Sequence, residues 1–379
     1  MDYSIQSCLL AKVMTEQSIT DDTIRFAEKV LELLEEGRFV ATYKFAVLLA
    51  MMDLCFEKNA SSGMAPESIT TRQLAEKIIE IYWPHTVDYH SISAVLKQNT
   101  GRQAEIPAAI MRFRHENTPD SVMPLHRAKM IAREQYGRLV KSVEWTLIEM
   151  PLPRLQTVGL TRDPFIYEIN WDEAVRQGNL RADFDNNIRF KPGAGECLIR
   201  LNGLLRPLIR KKWASMVARI NNLQENQLED FLFGVERISS GRVRGGLWEI
   251  QDKTCFYCGD RIPEPNRGEV DHFLPWSRYP DNGIENLVVA HKRCNNDKRD
   301  FLAATDHVEH WKSRFPSESA ASSDLSALAN AIGWESDPEK TKGAARALYL
   351  RLHSDARLWS NGRNFVHPDF ARLHAALCD

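Results

Sequence analysis

Two pairs of residues in the second half of the chain have the spacing of metal ligands. They are Cys255-x-x-Cys258 and His291-x-x-Cys294. Each turn lets both side chains reach one tetrahedral centre, and two such turns supply the four ligands of a closed zinc site. A redox-active C-x-x-C pair, the alternative, needs no second pair. The spacing therefore predicts structural Zn²⁺, although His291 can also be read as a surface histidine after a strand.

Polar residues between these pairs form a second pattern. The chain reads Glu269-Val-Asp271-His272-Phe-Leu-Pro-Trp, and then Glu-Asn286-Leu-Val-Val. Alone, an Asp-His pair is common at surfaces, and Asn286 could cap a turn. In this order, framed by the two ligand pairs, residues 255–300 resemble the HNH endonuclease family. The resemblance implies a compact ββα-metal fold that holds one catalytic divalent ion.

The resemblance also implies a role for each matching residue. His272 corresponds to the general base that activates water, and Asp271 to a carboxylate ligand of catalytic Mg²⁺ or Mn²⁺. Asn286 corresponds to the residue that organises the loop between the strands and helps to orient the histidine. Asn295 would be the second ligand of the catalytic ion. The zinc frame matches except at His291, where the family more often has cysteine.

These residue types suit phosphodiester hydrolysis on chemical grounds. A neutral imidazole with a pKa near ~6.5 can accept a proton at physiological pH. Oxygen atoms of Asp271 and Asn295 are hard ligands of the kind that Mg²⁺ prefers. Adjacent strand residues point to opposite faces, so Asp271 and His272 can share a site only where the strand ends or twists. Pro275, shortly afterwards, is consistent with a strand that ends there.

Basic residues occur in two groups that could contact phosphates. One group surrounds the predicted start of the helix after the second ligand pair, and the other lies in a predicted helix over 207–222 with an apolar stripe. A solvated helix face is the alternative for the second group. The candidate nucleic-acid contacts are Lys292, Arg293, Lys298 and Arg299 in the first group, and Arg206, Arg210, Lys211 and Arg219 in the second.

Composition excludes several classes of protein. The chain has 379 residues, 43% hydrophobic and 26% charged, which are ordinary globular values and suggest more than one domain. Its formal net charge of −2 means that any nucleic-acid contact must come from a local basic patch. No apolar stretch approaches the length of a membrane span, and the first residues lack the pattern of a signal peptide. The odd number of cysteines, seven, favours a reducing cytoplasm.

The predicted fold class is α+β, predominantly α-helical. We expect a helical N-terminal domain over 1–150, a mixed region with the basic helix over 151–245, the HNH module over 246–303, and a helical segment over 304–379. Predicted helices cover 43–58, 70–83 and 91–115, and β-like segments cover 165–171 and 188–201. Short helices followed by β-like segments suit a winged-helix arrangement, with a helical scaffold as the alternative.

The leading functional prediction is a metal-dependent nuclease that acts on DNA by nicking or double-strand cleavage. One alternative is a zinc-stabilised nucleic-acid-binding module without catalysis. Another is cleavage of RNA, because a single-metal site grips a phosphate and not a base. An HNH module with a long helical N-terminal region and a short helical tail resembles bacterial restriction or antiphage-defence nucleases, and the HNH component of Zorya-type systems is one candidate. Companion proteins of such a defence system would then be partners. A stand-alone restriction enzyme and a mobile-element nuclease are the alternatives.

Overall fold

A computed structural model describes residues 21–35, 40–118, 123–158, 161–180, 183–224, 228–234, 241–315 and 324–378. Helices dominate these residues, which confirms the predicted α+β, predominantly helical class. The α-helices are 21–35, Tyr43–Glu57, Thr71–Tyr82, Glu105–Asn117, Leu125–Ile131, Arg133–Glu149, Pro151–Arg154, Ala194–Arg200, Asn202–Asn221, Leu228–Phe233, Gly241–Ile250, Lys292–Lys298, Thr305–Lys312, Asp324–Ile332, Pro338–Tyr349 and Phe370–Cys378. Short 3-10 helices cover Trp83–Thr86, Pro265–Arg267 and Ile284–Asn286.

The strands are short and form small antiparallel sheets. One three-stranded sheet has the order Ser68–Thr70, Asn187–Phe190, Tyr167–Glu168. The remaining strands pair as Asp88–Tyr89 with Ala94–Val95, Thr157–Val158 with Thr161–Arg162, Gly268–His272 with Leu287–His291, and Leu358–Asn361 with Asn364–Val366.

Contacts divide the described residues into two units. The first draws on the segments Met1–Met52, Glu67–Ala109 and Val140–Glu229, and the second on Asp53–Pro66, Ile110–Leu139 and Asp230–Asp379. Both units are discontinuous along the chain. The predicted active-site residues all belong to the second unit, and the basic helix belongs to the first.

The core of the first unit is built around Trp213, which is fully buried. Its ring lies 5.2 Å from that of Tyr82 and 5.1 Å from that of His85, measured between centroids. The indole nitrogen donates a hydrogen bond of 2.8 Å to Gln98 Oε1. Because Trp213 lies on the basic helix, the apolar stripe of this helix faces the core and only part of its surface is available to solvent.

Local signals predicted the helix Thr71–Tyr82 closely. Thr70 caps it: its hydroxyl accepts from Gln73 N at 3.2 Å, while Gln73 Oε1 accepts from Thr70 N at 3.0 Å. This reciprocal capping box satisfies two amide groups that have no partner inside the helix. The predicted helix over 43–58 is also present, as Tyr43–Glu57.

Three predicted boundaries are wrong. The helix expected over 91–115 begins only at Glu105, because Gln103 Oε1 accepts from the backbone of Gln98 and Ala104 and holds the preceding residues in a loop. The strand expected over 188–201 ends at Phe190 and is followed by the helix Ala194–Arg200, after Gly193 turns the chain with φ 78°. The basic helix begins at Asn202, so that Pro207 lies inside it and not in its first turn.

Two strands and a helix form a ββα module over 268–298. Gly268–His272 pairs with Leu287–His291, with Asp271 opposite Val288, and the helix Lys292–Lys298 follows directly. Gly268 is required by close packing, since a Cβ at this position would lie 2.5 Å from Val289 Cγ1. The predicted order of elements therefore occurs where the resemblance placed it.

Candidate active site

The structure brings the four predicted zinc ligands together. The ligand atoms of Cys255, Cys258, His291 and Cys294 all lie within 4.8 Å of one another. Cys258 Sγ is 3.3 Å from His291 Nδ1, and the Cys255 sulfur accepts a bond from His291 N. His291 ends the second strand and Cys294 lies in the first turn of the helix, so the cluster joins the turn at 255–258 to the ββα module.

The chemistry of this cluster fits a bound cation. Burial raises the pKa of the Cys294 thiol well above its ordinary value, and the neighbouring Cys255 and Cys258 raise it further. Burial also raises the pKa of Cys258. Three thiolates in such a space repel one another unless a cation lies between them. Three cysteines and one histidine form a common donor set for structural zinc, so the cluster can hold such a metal.

Asp271 lies at the end of the first strand with two buried partners. Its Oδ2 accepts a hydrogen bond of 2.6 Å from the Tyr257 hydroxyl and lies 3.1 Å from Lys298 Nζ. Burial, followed by the charge of Asp271, raises the pKa of Tyr257, so this residue remains a donor. Tyr257 sits between the two cysteines of the first ligand pair and thus links the cluster to Asp271.

The position of Lys298 corrects one expectation. Its side chain has no exposed surface, and its ammonium group also donates to His272 O at 2.8 Å. Lys298 therefore compensates the charge of Asp271 from inside the module and, contrary to the prediction, does not face a phosphate at the surface.

His272 is held by a residue that sequence reasoning missed. Its Nε2 lies 2.9 Å from Asn282 Oδ1, and its ring centroid lies 5.3 Å from that of Trp276. Because an amide oxygen only accepts hydrogen bonds, this contact is a hydrogen bond when Nε2 carries a proton, and the ring nitrogen that can then accept a proton is Nδ1. The sequence places Asn282 in the loop before Asn286, but its spacing does not indicate that its side chain reaches His272.

Asn286 is fully buried and holds the loop between the strands. Its Oδ1 accepts from Leu274 N at 2.7 Å, and its Nδ2 donates to Leu274 O and to Asp281 O. These three bonds tie two positions of the loop, Leu274 and Asp281, to its last residue. Asn286 thus contacts the loop backbone, and the residue in direct contact with the His272 ring nitrogen is Asn282, through its acceptor Oδ1.

Asn295 pairs with a second residue that sequence reasoning did not select. Its Nδ2 donates to Glu269 Oε2 at 2.9 Å, which orients the amide oxygen of Asn295. Glu269 is two residues before Asp271 and therefore lies on the same strand face. The alternation of the strand was the signal that could have identified it.

An open cleft of about 610 Å³ collects these groups. Asp271 and His272 both face it, because the strand ends at His272, as the pattern required. The lining residues are Asp271, His272, Pro275, Trp276, Asn295, Asn296, Arg299 and Asp300. Three of the four predicted catalytic residues, Asp271, His272 and Asn295, thus share one cleft with the side chain of Arg299.

Arg299 occupies an unusual backbone conformation at the edge of this cleft. Its φ is 49° and its ψ is −132°, a region that favours glycine. Its side chain is exposed, as are those of Lys292 and Arg293. Such strained residues cost on the order of 1–3 kcal/mol and cluster at functional sites.

The basic helix presents only part of its predicted contact surface. Arg206 is 2% exposed and donates to Asn202 Oδ1 at 2.8 Å, so its burial corrects the expectation that it contacts phosphates. Lys211 and Arg219 are exposed, and Arg210 is half-buried.

Comparison with known proteins identifies the module. Residues 255–304 match the family model of the HNH endonucleases, in agreement with the cluster and the ββα module described above, so the chain carries a nuclease domain. A second model, described as a domain of unknown function (DUF8808), matches residues 24–232, more than half of the chain, and the chain belongs to that family. Neither curated proteins nor solved structures gave a match. None of the helices described above combines the length and apolar character that a membrane crossing requires.

Proposed function

We propose that the protein is a metal-dependent endonuclease that hydrolyses phosphodiester bonds in DNA. The observation that carries this proposal is the cleft in which Asp271, His272 and Asn295 meet beside Arg299. A module that only binds nucleic acid has no need of a basic imidazole next to a carboxylate and an amide oxygen. We further propose that the protein works in the cytoplasm.

In the proposed reaction, His272 acts as general base. Nε2–H donates to Asn282 Oδ1, and Nδ1 accepts a proton from water while the water oxygen attacks phosphorus. The bond between phosphorus and O3′ breaks, and O3′ leaves with the electron pair. Arg299 is available to bind a phosphate oxygen at the mouth of the cleft.

Asp271 and Asn295 would hold the catalytic Mg²⁺ or Mn²⁺. One oxygen of Asp271 is engaged by Tyr257 and Lys298, which fixes the carboxylate and leaves Oδ1 for the ion. The amide of Asn295 bonds to Glu269 through nitrogen, so its oxygen is the ligand atom. When bound, such an ion neutralises charge on the phosphate and stabilises the leaving oxygen.

Incubation of the purified chain with supercoiled plasmid tests this function. We expect nicked or linear DNA with Mg²⁺ or Mn²⁺ and no product without added divalent ion. A parallel reaction with a single-stranded RNA distinguishes the substrates. Plasmid that is bound but uncut, with every ion tried, would favour the zinc-stabilised binding module, and cleavage of RNA alone would favour a ribonuclease.

We also propose a role in bacterial restriction or antiphage defence, with companion proteins. The support is the resemblance of the long helical region joined to an HNH module, including the resemblance to Zorya-type systems. Bacteria that carry the gene, alone and with its neighbours, should resist phage better than bacteria that carry His272→Ala. Equal plating efficiency for both would contradict this role.

Arg299→Gly should separate stability from activity. Glycine adopts a positive φ without strain, so the variant should melt at or above the wild-type temperature. Loss of a charged hydrogen bond to phosphate should reduce cleavage by about 10-fold or more. Asp252→Gly is the matched control, since Asp252 is exposed, has φ 53° and does not line the cleft. Wild-type cleavage by Arg299→Gly would remove this residue from the mechanism.

Removal of the exposed cations of the basic helix should flatten the salt dependence of DNA binding. For Lys211→Ala combined with Arg219→Ala, the slope of log K against log salt should fall by roughly 0.9 for each lost phosphate contact. Arg72→Ala with Arg102→Ala removes two exposed cations from the same unit and serves as the control. Equal slopes in both double variants would mean that the helix has only a solvated face.

A further inference from the structure

The loop that orients His272 is Asp281–Asn286, which we call the orienting loop. Its Asn282 side chain accepts the hydrogen bond from the imidazole, at 2.9 Å. The position of this acceptor depends on the backbone of the loop. What holds that backbone therefore controls the direction of the basic nitrogen.

Residues 334–341 hold the orienting loop through main-chain atoms of Asn282 and of Ile284, two residues later. Trp334 Nε1 donates to the carbonyl oxygen of Asn282 at 2.8 Å. Two residues later, Ile284 N donates to Glu335 O at 2.9 Å. These two bonds fix the loop from one external segment, which we call the brace.

The first residue of the loop is held through its side chain. The Asp281 carboxylate has no exposed surface and accepts a hydrogen bond of 2.8 Å from the Thr341 hydroxyl. Lys340 Nζ lies 3.6 Å away and supplies the compensating charge. Loss of such partners would leave a buried charge uncompensated, which strongly lowers the stability of the folded protein. Asp281 also accepts a hydrogen bond from Gly283 N at 3.0 Å. The carboxylate that the brace holds therefore also fixes the backbone on the far side of Asn282.

The other end of the loop is held in the same way. Glu285 accepts hydrogen bonds from the Ser336 hydroxyl and, at 3.2 Å, from Asp337 N. Burial raises the pKa of Glu285. Asp337 also caps the helix Pro338–Tyr349 by accepting from Lys340 N, which anchors the brace to a regular element.

We propose that the brace is a positioning device for the general base, with Trp334 and Thr341 as positioning residues that act through Asn282. This inference rests on the proposed nuclease function. The HNH match ends at residue 304, so this chain supplies from a later segment the contacts that direct its own histidine. A catalytic group displaced by about 1 Å can lose ~10²-fold in rate, which sets the size of the expected effect.

Thr341→Val in the full chain tests the brace, because it removes the hydroxyl and keeps the shape. We expect kcat for plasmid cleavage to fall by about 10- to 100-fold, with KM and zinc content unchanged. Thr341→Ser should restore kcat, since it returns the hydroxyl. Trp334→Phe, which removes the donor to Asn282 O, provides a second variant should the first fold poorly.

Thr305→Val is the matched control. Thr305 is also buried in this unit, and its hydroxyl accepts from Asp369 N, away from the orienting loop. A loss of kcat that merely follows a loss of stability would appear in this control as well. A loss confined to Thr341→Val and Trp334→Phe assigns the effect to the loop.

A second measurement does not require cleavage. Nitrogen-15 NMR of the histidine rings, assigned with His272→Ala, should show His272 protonated at Nε2 in the wild type and a mixture of tautomers in Thr341→Val. If the wild type cuts no DNA, the proposed function fails while the tautomer still reports on the brace. An unchanged tautomer in both brace variants, or undiminished kcat where the wild type cleaves, would overturn the inference.

Discussion

His272→Ala should lose cleavage by about 10²–10⁴-fold while the protein keeps its fold, its zinc and its affinity for DNA. The substitution removes the base from the cleft, whereas Asp271 and its partners Tyr257 and Lys298 stay in place. Plasmid cleavage, melting temperature, zinc content and a binding isotherm for the same preparation give the four quantities. His353→Ala, at an exposed histidine outside the cleft, is the control.

Substitution of the two proposed ligands of the catalytic ion should reduce cleavage to different extents. Asp271→Ala should lose cleavage through the ion, so that higher Mg²⁺ or Mn²⁺ restores part of the activity. It should also lower the melting temperature, because it leaves the buried Lys298 ammonium group without its carboxylate partner. Asn295→Ala should show a milder form of the same defect, because a neutral ligand attracts the ion less strongly. Residues with a purely structural role would instead lose activity in step with melting temperature, and higher Mg²⁺ or Mn²⁺ would restore none of it. A folded His272→Ala protein that cuts at the wild-type rate would overturn the mechanism.

Cys258→Ser should unfold the nuclease module locally. Binding energy at a structural zinc site is also folding energy, on the order of 10 kcal/mol for comparable small sites. The loss should spread to Asp271, because Tyr257 lies next to Cys258 and donates to that carboxylate. We expect zinc content to fall, amide exchange over 250–300 to rise, and cleavage to disappear.

Cys197→Ser is the matched control for this experiment. Cys197 is a buried thiol of the first unit, outside the cluster, and its replacement should leave zinc content and cleavage unchanged. We expect metal analysis to find zinc in wild-type protein that has never been exposed to a chelator. An absence of zinc there would contradict the assignment of the cluster.

Signals within a few residues made parts of the structure predictable. The capping box of Thr70 and Gln73 spans three positions, and each ligand pair spans the same distance. Asp271 and His272 were selected as neighbours, and the end of their strand brought both to the cleft. Such features depend on local geometry, which a single sequence displays directly.

Features that depend on the folded chain were missed. Asn282 lies beside His272 only because of the fold of the orienting loop, and Thr341 contacts Asp281 although the two are 60 positions apart in the sequence. Burial was also hidden: Arg206 and Lys298 read as surface cations, yet both side chains are buried against polar partners. Charge alone does not indicate whether a side chain faces solvent.

The contact between Thr341 and Asp281 also has a consequence for the order of synthesis. A ribosome makes the metal ligands, His272 and Asn282 before it makes the brace. At roughly 5–20 residues per second, the stretch from residue 304 to Thr341 takes about 2–7 s to translate. During this interval the nascent chain carries a general base without its final orientation. If the brace positions the general base as proposed, full activity of the proposed nuclease would have to wait until this later segment has been made.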